Sequence, residues 1–155
     1  MNYRRYVEIG LCLVILGSVV TGSCLAGLVA SEVIVVVNGS SVNSRTVANH
    51  YVQLREIPSI NVIVLDSVPN SEVISVERFR ERILKPLVAE IGQRGLASHV
   101  QCVAYSADFP TAIDIKKDLE PVKDLQPIFT PMASINGLTY LYELALVGNP
   151  AYIAP

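Results

Sequence analysis

Glu32-Val33-Ile34-Val35-Val36-Val37-Asn38-Gly39-Ser40-Ser41 decides how this 155-residue chain is read. Val33 to Val37 are all β-branched, and the run is apolar at every position. A strand with one wet face would alternate, so this one suits a strand buried on both faces, as in a parallel sheet. Asn38-Gly39-Ser40-Ser41 then supplies turn residues. Downstream, Val47, Tyr51 and Leu54 fall at helical spacing. Asn43 or Ser44 can cap that helix, and Ile57-Pro58 ends it. Asn61-Val62-Ile63-Val64-Leu65-Asp66 is a second strand of the same buried type. Strand, helix, strand is a βαβ unit, whose crossover is right-handed in nearly all cases.

The pattern continues outward. Ser67 to Ser75 reads as a polar loop. Ser75 can cap a longer helix carrying Val76, Phe79, Ile83, Leu87 and Ile91 on one stripe, and Pro86 should kink it. Gly95 after Arg94 is a favourable helix end. Val100-Gln101-Cys102-Val103-Ala104-Tyr105 is a third strand. The order βαβαβ predicts an α/β protein, a three-layer sandwich with central parallel strands near 33–37, 62–66 and 100–105. Beyond it, Thr111 to Ile115 reads as a short edge strand and Lys116 to Pro131 as loop. Ile135 to Val147 reads as one helix with Leu138, Leu141, Tyr142 and Ala145 facing inward. The expected core is Val35, Val37, Val47, Tyr51, Val62, Val64, Phe79, Ile83, Leu87, Ile91, Val103, Leu138 and Leu141. Three parallel strands make a small sheet, so residues 31–155 are expected to be a single α/β domain that is a piece of a longer one.

The N-terminus has a different character. Arg4 and Arg5 precede an apolar stretch, and no charge occurs between Glu8 and Glu32. This is the layout of a secretory signal peptide over residues 1–30, with Ala26 or Ala30 before the cleavage point. The stretch from residue 9 to residue 30 is also long enough to stay in a bilayer as an anchor. Thr21-Gly22-Ser23-Cys24 is a third, weaker option, a lipoprotein signal. The expected location is therefore the periplasm, envelope or exterior, or a membrane anchored by residues 9–30. In each case the N-terminal segment meets the membrane.

Removing residues 1–30 leaves 125 residues with net charge −3, because Arg4, Arg5 and Glu8 leave with it. An acidic chain of pI about 5.6 argues against nucleic acid as a partner. Hydrophobic residues make up 51%, which argues against global disorder. One cysteine, Cys102, remains after cleavage, so no disulfide framework can form and the domain relies on its apolar core.

Val35-Val36-Val37-Asn38, Val47-Ala48-Asn49-His50-Tyr51-Val52, Arg55-Glu56-Ile57-Pro58 and Asn61-Val62-Ile63-Val64-Leu65 form one recognisable set. With Tyr105-Ser106-Ala107-Asp108-Phe109-Pro110 and Ala133-Ser134-Ile135-Asn136-Gly137-Leu138-Thr139-Tyr140-Leu141-Tyr142, they resemble a family of uncharacterised exported bacterial proteins. That family is associated with genomes carrying the exosortase sorting system. The resemblance covers Glu32 to Pro155 and implies an exported protein, usually longer than this one, of no assigned activity. Ile57-Pro58-Ser59-Ile60-Asn61-Val62, set between a helix and a strand, more distantly resembles the caspase, legumain and gingipain fold.

The chemistry of such a protease is missing here. It needs His-Gly after the third strand and a Cys after the fourth. The third strand leads instead to Ser106-Ala107-Asp108-Phe109-Pro110. His50 lies mid-helix, His99 precedes a strand, and Cys102 lies inside one, where a small buried role is expected. One Cys and two separated His do not make a zinc site, and no metal or other cofactor is called for. Asn38-Gly39-Ser40-Ser41 precedes a helix, yet neither Gly-x-Gly-x-x-Gly nor Gly-Lys-Ser/Thr is present to make it a phosphate cradle. Position alone remains. In open α/β sheets ligands bind beyond the carboxyl ends of the strands, where the strand order reverses. With the order 2-1-3, that crevice is flanked by Asn38 to Ser41 and Ser106 to Asp108, and Asp66 lies at the same edge of the sheet, beside the second strand. Asn38, Ser41, Asp66 and Asp108 are the candidate binding residues. Asn38 and Ser41 also serve as plain turn and cap residues, and the two Asp as loop carboxylates. The functional expectation is a non-catalytic envelope or surface binding domain. The alternative is a hydrolase-like enzyme whose catalytic residues lie in a C-terminal region outside this chain.

Overall fold

The computed structural model describes residues 27–122 and 130–153. The stretch read as export signal or anchor lies outside them, apart from Gly27 to Ala30. Among the described residues, no helix is long and apolar enough to cross a membrane.

The β-branched run forms β1, Val33–Asn38, buried along its whole length. It is the middle strand of a three-stranded parallel sheet, between β2, Val62–Leu65, and β4, Cys102–Tyr105. The first and second strands are joined by helix α1, Val42–Arg55. Between β2 and β4 runs a helical rod built from α2, Val76–Phe79, a π-helical turn at Arg80–Leu84, and α3, Lys85–Gln93. Alternation along β1 divides its side chains between two cores. Ile34 and Val36 join Ile63, Phe79, Ile83 and Leu87 on the face covered by the rod. Val33, Val35 and Val37 join Ala48 and Ile57 on the face covered by α1. The chain is thus an α/β protein with a small parallel sheet between helical layers, in the order β2-β1-β4.

Pro86 acts just ahead of itself. It has no N–H to give to Arg82, and the backbone widens there, Lys85 N–H donating to the carbonyl of Arg80, five residues back. The expected kink is accommodated as this π turn inside a continuous rod.

Several expectations need correction. Val47 and Val64 are about half exposed, at 49% and 52%, and Leu54 is 81% exposed. Helix α1 turns Ser44 and Ala48 inward instead, one residue round from the apolar stripe. Small residues on the buried face let the helix lie close over β1, and one helix cannot cover the outlying β2, which leaves Val64 in solvent. Tyr51, Val62, Ile91, Val103 and Leu141 are half-buried. Neither Asn43 nor Ser44 caps α1: Ser41 does, its Oγ accepting from Ser44 N at 3.0 Å.

The protein also has a second three-stranded sheet. Val73–Ser75, within the expected polar loop, is β3. The expected edge strand is β5, Ala112–Asp114, and it lies in the middle, parallel to β3 and antiparallel to β6, Met132–Ser134. The segment read as loop contains the short helix α4, Lys116–Leu119. The last helix is broken at Leu141 into α5, Ile135–Tyr140, and α6, Tyr142–Val147. There Thr139 Oγ1 donates back to Ile135 O at 2.8 Å, a side-chain bond that bends helices. Ile74 and Ile113 of the second sheet share the core of Ile34 and Ile63, so the two sheets are joined through one apolar body.

Candidate functional site

Three of the four candidate residues meet at the carboxyl end of the parallel sheet. Asn38 ends β1 with its side chain buried, and its Nδ2 donates to the carbonyl of Asp108 at 2.8 Å. Ser41 Oγ donates to the Asp108 carboxylate. Asp108 follows β4 with φ +58°, a left-handed backbone that Asp tolerates better than most residues. Two residues outside the four candidates complete the cluster, one of them Ser106 from the expected flank of the crevice. Ser44, fully buried in α1, accepts from Asn38 N at 2.8 Å and shares a hydrogen bond with Ser106. Their signal was indirect: two further Ser at the facing ends of the same two segments.

Asp66 is set apart. It lies against Gly39, where a Cβ would collide with its carboxylate and come within 2.9 Å of Val64 Cγ1. It then opens onto a separate polar cleft of about 330 Å³, with Glu81, Arg82 and Glu90 on its walls. A larger residue at position 39 would force the exposed side chains of Asp66 and Val64 to shift.

The cluster spends its donors internally. Gly39 N donates to Leu65 O at 2.9 Å, Ser40 N to Asn38 Oδ1 at 3.1 Å, and Ser41 N to Asn38 O at 3.1 Å. With Asn38 N already given to Ser44, residues 38–41 keep no N–H for a phosphate. The carboxylate of Asp108, bonded to the helix-capping Ser41, itself occupies the place an anion would take near the start of α1. Neither histidine joins this network. His50 is exposed in mid-α1, and His99 is exposed with Ser98 3.5 Å from its Nδ1. Ser41 therefore has no imidazole base to activate it. Among the described residues, no three His, Cys, Asp or Glu side chains gather as metal ligands. The arrangement is suited to pinning the β4–β5 connection onto the β1–α1 turn.

The larger concavity lies elsewhere. A groove of about 570 Å³ runs along the outer edge of β4 between α3 and α5. Val88, Ile91, Val100, Val103 and Tyr140 are among its lining residues, and none of the lining residues is charged. Cys102, expected to be buried, is half-buried on this wall. At its inner side Tyr105 Oη donates to Thr139 Oγ1 at 2.8 Å, the threonine's own hydrogen going to Ile135 O, and its ring packs on Phe109, centroids 5.0 Å apart. Burial pushes the Tyr105 phenol up to about 12, against the lowering effect of Thr139. The tyrosine is neutral and anchors the loop that carries Asp108.

No family model, curated protein or solved structure matches the chain.

Proposed function

We propose that this chain is a non-catalytic binding domain of an exported protein, and that it takes an apolar partner segment in the groove beside β4. The observation that carries this reading is the uncharged groove itself, of about 570 Å³, open along a sheet edge. Ligand sites are concave and mostly apolar with a few polar groups, and Gln101, Asn136 and Thr139 supply those here. An extended partner segment can add to such an edge through its backbone. Export rests on Arg4-Arg5 with the uncharged stretch behind them, and on the resemblance to the exported family. The lack of an imidazole beside Ser41 or Asp108 supports a role without catalysis.

The test is photo-crosslinking in the producing cell. Tyr140 on the groove rim is replaced by a benzoylphenylalanine in the full chain, and a matched protein carries the probe at His50. A specific protein adduct from position 140 and none from position 50 is expected. Equal labelling, or none, removes the reading.

The second reading is a hydrolase-like enzyme with catalytic residues beyond residue 155. It draws on the strand order β2-β1-β4 and on the resemblance to the caspase-like fold. The reading frame past Pro155 separates the two: a further strand ending in Cys, Ser or His favours the enzyme.

A further inference from the structure

We propose that the partner in the groove is a second copy of this chain, with the two β4 strands pairing antiparallel across a two-fold axis to give one six-stranded sheet. This rests on the groove being the binding surface, and three observations then point to a copy.

The two edges of the parallel sheet are treated differently. At the β2 edge, Arg94 Nη1 donates to the carbonyls of Ile60 and Val62 at 3.0 and 2.7 Å, and Glu90 holds the guanidinium at 2.8 Å. Ile60 precedes β2 and Val62 opens it, so this charged side chain guards the start of that edge against another strand. No strand pairs with the outer side of β4 among the described residues. Ser106 N donates to Val36 O at 3.0 Å, and alternate residues of a parallel ladder face the same neighbour. Ala104 therefore faces β1, and the backbone N–H and C=O of Val103 turn outward.

The second observation is the neutrality of the groove. Across a two-fold axis a patch meets itself, so any net charge would be set against its own sign. In a chain with 17% charged residues, the groove lining has none. An acidic or basic peptide would find no complement there.

The third is Tyr140. It lines the groove yet is 85% exposed, and Tyr142 beside it is 40% exposed. Aromatic side chains left standing on a rim are typical anchors of interfaces. Each copy thus carries both a cavity and a ring to place in the other's cavity, which is the self-complementarity an isologous contact requires.

Two differently tagged versions of the full chain are co-expressed and solubilised in mild detergent. Wild-type copies should co-purify. Tyr140→Asp on both should lower the recovered partner about tenfold or more, since each copy would have to seat a carboxylate in the other's uncharged cavity. Tyr140→Phe on both, which keeps the ring, should leave the recovery at the wild-type level. Tyr140 is so exposed that the variants should keep the wild-type unfolding midpoint, which is measured alongside. Failure of wild-type copies to associate overturns the proposal. So does association indifferent to Tyr140→Asp, which would place the contact elsewhere, for example in the apolar N-terminus. The photo-crosslink from position 140 keeps this failure distinct. An adduct with another protein and none with the chain itself removes the second copy and leaves the groove a binding site.

Discussion

Asp108 shows how one residue can be fixed by both backbone and side chain. Its φ of +58° suits Asp or Asn and strains a β-branched residue. Its carbonyl is held by Asn38 Nδ2 and its carboxylate by Ser41. Asp108→Asn keeps the backbone preference and an acceptor for Ser41, so a loss under about 0.5 kcal/mol is expected. Asp108→Val should cost about 1–3 kcal/mol, because the left-handed backbone becomes strained. Urea midpoints of the two variants check this, and equal losses would contradict it. Glu77 offers a pH readout. Its carboxylate is lowered from 4.5 to about 2, first by the hydrogen bond from Lys117, whose Nζ lies at 2.9 Å. A lowered carboxylate contributes stability above its unfolded value and loses it as pH falls from about 4.5 through about 2. The pair is open to solvent, so the contribution is at most about 1 kcal/mol. Urea midpoints of Glu77→Gln and wild type should therefore differ at pH 6 and converge toward pH 2.

At the level of elements, the π turn and the C-terminal helices are tied by one buried ion pair. Arg80 lies within the π turn and Asp118 in α4, their side chains 12% and 7% exposed. Arg80 Nη1 donates to Asp118 Oδ1 at 3.0 Å, Arg80 Nε donates to Ala145 O in α6, and Tyr152 Oη donates to Asp118. The widened turn thus belongs to the rod segment that clamps three later segments together. Arg80→Met would leave a buried carboxylate without its cation. A loss of about 3–5 kcal/mol is expected, against a smaller one for the double change Arg80→Met with Asp118→Leu. Chemical denaturation of the single and double variants decides it. A double variant less stable than the single one would show that the pair is not the source of the penalty.

For the whole molecule, the shared apolar body makes both sheets one cooperative unit. Phe79 and Ile83 of the rod are fully buried in the cluster that holds Ile34 of one sheet and Ile113 of the other. Amide exchange in β1 and β5 should then report the same opening free energy, and Phe79→Ala should lower both by about 3–5 kcal/mol. Unequal opening would mean two independently unfolding halves. The sequence was legible where a signal is local and strong. The five β-branched residues of β1 can bury both faces only in a sheet covered on both sides, and this made the parallel core and its neighbours readable without coordinates. The three-residue strands of the second sheet carry no such period, and they exist because distant segments pair with them. The face of α1 was misread because apolar spacing picks a stripe, whereas close approach to β1 selects the small side chains of Ser44 and Ala48. Asn38, Ser41 and Asp108 could be placed at one sheet edge from the order of elements. That their polar groups are consumed by one another, across a separation of 70 residues between Asn38 and Asp108, was decided by the tertiary structure alone. The same holds for the groove, whose apolar walls read in sequence as ordinary core. The sequence by itself determined that these residues leave water and that the central strands run parallel, because burial and β-branching act locally. Only the tertiary structure decided which edge of the sheet Arg94 lies across and which is unpaired among the described residues, because that depends on where one cation from α3's end comes to rest.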